Sequence, residues 1–204
     1  MTLLRRLVAV ILAISIVTYV LSREVGAQSQ PNFQSYIQYP AGGRMATAVA
    51  HADFDLDGTL DLAVCLAGND PITSQDVVVV LRGNPAKKGT FLPAQEFDPE
   101  FSMSDTDPVA VAVIDIDGMA GGQHYPDLVV AHRVANKVAI HLNPGLGPSS
   151  AMSLDFSPMA PLSLAVGRFN NDSLDDLAVG LGGQQGPNVR IFRGTGTGLG
   201  PVNK

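Results

Sequence analysis

Asp53-Phe54-Asp55-Leu56-Asp57-Gly58-Thr59-Leu60-Asp61-Leu62-Ala63-Val64 sets carboxylates at positions 1, 3, 5 and 9 of a short loop and runs straight into an apolar stretch. Its closing tetrapeptide returns as Asp127-Leu128-Val129-Val130 and as Asp176-Leu177-Ala178-Val179, at intervals of 66 and 49 residues. Ahead of each copy lies a short apolar-rich run: residues 48–53, 110–115 and 163–168. Behind each copy, across a gap of variable length, comes another: Val77–Leu81, 138–142 and 189–192, stopped by Gly83, Pro144 and Gly194. Short runs rich in Val and Ile, bounded by Gly, Pro, Asn and Asp, read as strands. Outside residues 7–21 no stretch keeps apolar residues at helical spacing over three turns.

A fourth strand fits residues 91–97 in the first unit and 152–156 in the second. After Gly194 only residues 195–204 remain, and no strand is assigned there; residues 32–39 read as an outer strand ahead of the first unit. Four strands per unit at a period of about 50 residues is the pattern of a β-propeller blade. The expected fold is therefore all-β, with about three blades, whereas propellers close with ~4–8. The units span about 46–98, 109–157 and 162–204 within a repeat region of 28–204. Such an incomplete propeller has open blade edges, with strands such as Val77–Leu81 thinly covered beside them. Self-association through those edges is expected.

Crowded carboxylates repel one another unless a cation sits among them. Ca2+ takes six to eight oxygens and accepts flexible loops, so Asp53, Asp55, Asp57 and Asp61, with the Thr59 carbonyl and water, suit it better than they suit Mg2+. An EF-hand would need Glu at position 12, which is Val64, and flanking helices. The second loop offers Asp115, Asp117 and, after a stretched segment, Asp127; the third offers Asn170, Asp172, the Leu174 carbonyl and Asp176, with Arg168 at position 1. The first site is complete, and the other two are degraded copies.

The segments VAHADFDLDGTLDLAV, VAVIDID…YPDLVV and LAVGRFNNDSLDDLAVG, the last followed by GPNVRIFRGTGTGLG, resemble the FG-GAP/VCBS repeats of integrin α-subunit-type propellers and their bacterial secreted relatives. The resemblance covers residues 46–200. It implies structural Ca2+ inside each blade, held by the residues just named, and a binding, adhesion or scaffold module rather than an enzyme. The literal Gly-Ala-Pro element of that family is absent. An alternative is an accessory or catalytic propeller domain of a secreted hydrolase or lyase. A remoter one is a haloacid-dehalogenase-like phosphatase, with Asp55 as nucleophile and Asp57 as acid/base, which would require an α/β sheet and a helix after the first strand.

The 204 residues carry 13 Lys and Arg against 19 Asp and Glu, a net charge of −6. An acidic body argues against nucleic acid as a partner; a protein or glycan ligand remains open. Residues 1–6 are basic, 7–21 are apolar, and Val25-Gly26-Ala27 places small residues where a signal peptidase cuts. A fifteen-residue apolar run falls short of the ~20 that span a bilayer. Residues 1–27 thus read as a signal peptide, cleaved after Ala27, with a secreted or periplasmic mature chain that has no membrane span. The lone Cys65 permits no internal disulfide and, in its LAVCLA context, reads as a buried apolar residue. His132 and His141 read as sheet-surface residues that could face each other across neighbouring strands, too few for a zinc site. GTGTGLG at residues 194–200 follows a strand but precedes no helix, so it reads as a turn.

Overall fold

Twelve strands account for the regular structure of the computed structural model, which describes residues 36–39, 45–67, 77–96, 107–118, 123–146, 151–183 and 188–201. The export signal read over residues 1–27 lies outside these. Among the described residues there is no α-helix, only a 3-10 turn at Pro144–Leu146, and no helix is long and apolar enough to cross a membrane. The protein is all-β.

Strands β1 (Met45–Ala52), β2 (Asp61–Ala67), β3 (Val77–Leu81) and β4 (Gln95–Glu96) form the first sheet in that order. β5 (Pro108–Ile114), β6 (Asp127–His132), β7 (Lys137–His141) and β8 (Ala151–Asp155) form the second. The third holds β9 (Ala160–Gly167), β10 (Asp176–Gly182), β11 (Val189–Gly194) and β12 (Leu199–Pro201). Every neighbouring pair is antiparallel. The repeat extends to a backbone defect: β1, β5 and β9 each carry one unpaired residue, Thr47, Val109 and Leu162, each five positions before the last paired residue of its strand. A bulge of this kind bends the strand and increases its twist.

Some strands differ from the sequence reading. Residues 36–39 have no regular structure, so the part of the expected outer strand that is described is not one. The run 91–97 pairs only at Gln95–Glu96, aided by a bridge from Gly83 to Phe91, because Pro93 withholds a donor. The third sheet gains β12, which lines up with β11 once a turn, Thr195 N–H to the Gly198 carbonyl at 2.9 Å, reverses the chain.

The sheets pack face to face in chain order. Ala63, Cys65, Val78 and Val80 of the first meet Leu128 and Val130 of the second. On its other face the second sheet sets Val129, Ala131, Val138 and Ile140 against Leu177, Val179 and Leu181 of the third. β1 lies against β5, and β5 against β9. The unbroken apolar runs at Val77–Leu81 and in β6 follow from this, because a strand covered on both faces has no reason to alternate. The outer face of the first sheet, with Val64, Leu66, Val77, Val79 and Leu81, is also buried and meets Tyr39, Phe91 and Ala94. There the Phe91 N–H donates to the Tyr39 hydroxyl at 3.1 Å, and the two rings meet edge to face at 5.3 Å. Val77–Leu81 is therefore well covered, against the sequence expectation. The thinly covered surface lies instead on the third sheet, where Val189 is 58% and Ile191 43% exposed.

His132 and His141 are buried, not on the sheet surface. They share a face but sit opposite Lys137 and Leu128 respectively. Four positions of strand, roughly 13 Å, keep them from facing each other.

Candidate metal centre

One device fixes all three acidic loops. The aspartate that opens β2, β6 and β10 is buried in each case. Asp61 Oδ2 accepts the Phe54 N–H at 3.0 Å and its Oδ1 the Gly83 N–H at 2.7 Å. Asp127 accepts Ile116 and Asn143 N–H, both at 2.8 Å, and Asp176 accepts Phe169 and Gly194 N–H at 2.8 and 3.0 Å. Each carboxylate thus clasps the loop before its strand to the end of the next strand. Burying an ionised group is costly unless it is hydrogen-bonded, and these two backbone donors supply that compensation. The clasp explains why the tetrapeptide must open on Asp. Gly83 and Gly194 serve the same contact: a Cβ on Gly83 would lie 2.7 Å from the Leu60 carbonyl.

Among the described residues, ligating side chains converge in two groups: Asp53, Asp55 and Asp61, and Asp115, Asp117 and Asp127, with one oxygen from each within 4.8 Å of the others. Either group could hold a metal ion. In the first loop the Asp53 carboxylate also accepts N–H groups of Asp57 (3.0 Å) and Gly58 (2.9 Å), winding the turn tightly. Leu56 and Gly58 take positive φ of 59° and 87° to allow it, an uncommon state for a leucine. Asp57 stands apart from the triad, accepting the N–H (2.8 Å) and hydroxyl of Thr59. Those two bonds hold its carboxyl below the usual range.

Arg82, just past β3, was not singled out in the sequence. Its guanidinium meets Asp55 at 3.1 Å and donates to the Gly145 carbonyl of the second sheet at 3.0 Å, so it links the first loop to its neighbour. Gly145 itself lies on the loop backbone, where a Cβ would collide with the Phe54 carbonyl. In the second loop, His124 Nδ1 meets Asp115 at 2.6 Å and the Asn143 amide donates to Asp117 at 2.8 Å. Asp117 Oδ1 and Asn143 Oδ1 are buried with no hydrogen-bond partner among the described residues. Asn143 is a residue the loop spacing alone could not reveal, because it arrives from the far end of β7.

Burial, opposed by the two clasp bonds and assisted by neighbouring carboxylates, raises the Asp61 carboxyl above its ordinary value and pushes Asp127 up to about 6. A cation among these groups would reverse that shift. The third loop assembles no such triad. Asn170 and Asp172 bond each other at 2.7 and 2.9 Å, Asp172 also accepts the Leu174 N–H at 2.9 Å, and Arg168 reaches Asp175 at 3.4 Å. Asp115, His124, Arg168, Ser173 and Asp175 line a cleft of about 390 Å³ between the second and third loops.

The strands flanking residues 55–60 form an antiparallel hairpin, so the strand-to-helix setting of a dehalogenase-type nucleophile is not built here. No protein-family model matches the chain, and no curated protein matches it.

Proposed function

We propose that the chain is an exported calcium-binding repeat protein of the FG-GAP/VCBS type, its sheets acting as propeller-like blades, and that it serves as a binding or scaffold module. The observation that carries the reading is the recurrence of one carboxylate triad at equivalent positions of adjacent sheets. The donors are all oxygen and the loops are turns rather than rigid cages, which favours Ca2+ over Mg2+. Calcium at these sites is structural. It offsets the repulsion among Asp53, Asp55 and Asp61 and takes over the neutralising role that Arg82 has at Asp55.

The test is a titration of chelator-treated protein with Ca2+ followed by calorimetry. Extracellular modules bind Ca2+ with Kd of ~0.1–1 mM. Saturable heat in that range, lost in the Asp53→Asn/Asp115→Asn double variant, supports the reading. No heat, or heat unchanged in that variant, refutes it.

A further inference from the structure

We propose that Asn143 is a ligand of the second metal site, its side-chain oxygen standing in for a loop carboxylate that this unit lacks. The inference rests on the calcium reading above and goes beyond it by adding a ligand from outside the acidic loop.

The three repeats place one residue at the far end of each clasp. Asp61 accepts the N–H of Gly83, Asp176 that of Gly194, and Asp127 that of Asn143. At the two glycines a side chain has no room. A Cβ would lie 2.7 Å from the Leu60 carbonyl in the first unit and 2.3 Å from the Asp175 carbonyl in the third. Of the three clasps, only that of the second unit carries a side chain at this point. Its loop is also the one without a carboxylate at position 5. The first loop has Asp57 there and the third Asp172, whereas the second has Met119, and no carboxylate follows before Asp127. The unit short of a loop oxygen is thus the unit that brings an amide in from the end of β7.

Asn143 is placed for the role. Its main-chain N–H donates to Asp127 Oδ1 and its Nδ2 to Asp117 Oδ2, both at 2.8 Å, so the residue is wedged between two members of the triad Asp115, Asp117 and Asp127. Its Oδ1 shares the amide plane with Nδ2 and is held beside the same carboxylates. Among the described residues it meets no donor, and neither does Asp117 Oδ1, although both atoms are buried. Buried acceptors without a donor are uncommon, because they lose hydration with no replacement. Two of them, on side chains already bonded to each other within a carboxylate triad, form the arrangement that a cation relieves. An amide oxygen is a hard donor that Ca2+ accepts alongside carboxylates.

Backbone conformation offers a competing account of this residue. Asn143 takes a positive φ of 50°, which asparagine tolerates better than most residues and glycine better still. If conformation were the whole reason, glycine would serve here as it does at the other two clasps.

Calorimetric Ca2+ titration of the chelator-treated full chain decides between them, in an Asp53→Asn background that silences the first site. There Asn143→Gly keeps the backbone conformation and the N–H clasp but removes the oxygen. Ca2+ affinity should fall about tenfold or more, the scale of loss when a group supporting a metal site is removed. Asn143→Asp keeps an oxygen and should bind at least as tightly as its parent; if the amide served only to donate to Asp117, both variants would weaken alike. In an Asp115→Asn background, which leaves the first site alone, Asn143→Gly should change affinity by less than about twofold. Circular dichroism checks that each variant is folded. Affinity unchanged in Asn143→Gly, or weaker binding in folded Asn143→Asp, overturns the inference and leaves the calcium reading standing. Binding confined to the Asp115→Asn background does the same, since the second triad would then hold no ion. No Ca2+ heat in either background removes both.

Discussion

Phe54 and Phe169 occupy the same position of the same repeat, and truncating them should have very different costs. Phe54 is fully buried among Ala63, Cys65, Val78, Val80, Leu128 and Val130. Removing its ring leaves a cavity whose walls are two sheets, which cannot close without moving strands. Phe→Ala at such sites costs about 3–5 kcal/mol, a large fraction of the ~5–15 kcal/mol that holds a domain together. The backbone clasp from the Phe54 N–H to Asp61 survives the change, so the loss reports packing alone. Phe169 lies against Gly167 with half its surface in water, and truncating it should stay within about 0.5 kcal/mol. Urea unfolding measures both. With m near 2 kcal/mol/M, Phe54→Ala lowers the midpoint by about 1.5–2.5 M and Phe169→Ala by about 0.25 M or less. Equal losses, or a larger loss at Phe169, would refute the assignment of the third sheet as the open end.

Four further outcomes are expected. Adding ~1–2 mM Ca2+ to chelator-treated protein should add about 0.4–1.8 kcal/mol per occupied site and raise the melting point by a few degrees; Asp55→Asn should lose most of the shift in a single-site variant lacking Asp115, whereas Asp172→Asn should leave it intact. In chelator, Asp127 should make the protein less stable as pH rises from about 4 to about 7. Its folded pKa, about 6, exceeds its ordinary 3.8, so the folded state holds the proton more tightly in that window. Melts of Asp127→Asn should lack that slope, though from a lower baseline because the amide satisfies only one clasp donor. Gly145→Ala should cost about 1–3 kcal/mol by forcing the first loop off the second sheet, and a melt unchanged from wild type would contradict the contact. Arg82→Gln should change apo stability by under about 1 kcal/mol, its pair with Asp55 being part-exposed, while Ca2+ binds more tightly once the competing guanidinium is gone; calorimetry reads this directly.

What the sequence made legible was whatever depends on short-range chemistry. Val77–Leu81 was placed to the residue, and β2, β6 and β10 began where Asp61, Asp127 and Asp176 predicted, because that aspartate closes the loop just before it by accepting a loop N–H. The acidic loops were equally plain as loops. Their ligands were less so. Asp57 reads as a ligand by spacing but is turned onto Thr59, two residues away, because a hydroxyl and an N–H at that distance compete for its oxygens. Arg82 and Asn143 reach the triads from the ends of β3 and β7, more than 20 residues along the chain from the carboxylates they meet.

Coverage was the harder matter, and its logic lies in how the repeat is asymmetric. Three repeats suggest two equivalent bare ends, yet among the described residues the outer face of the first sheet is covered and that of the third is exposed. At the first sheet the apolar density of VVVVL alone does not say whether its second face is covered; Tyr39 and Phe91, neither part of the repeated pattern, accompany that covered face. At the third sheet the signal is subtractive. Where the first unit has Val78 and Val80 and the second Val138 and Ile140, the third still has apolar Val189 and Ile191, and its charges fall at Arg190 and Arg193. The partner row has shrunk to Ala178 and Gly180. The exposed face is thus not legible from β11, whose Val189 and Ile191 match the buried Val78 and Val80; what distinguishes it is the small row of Ala178 and Gly180 beside them.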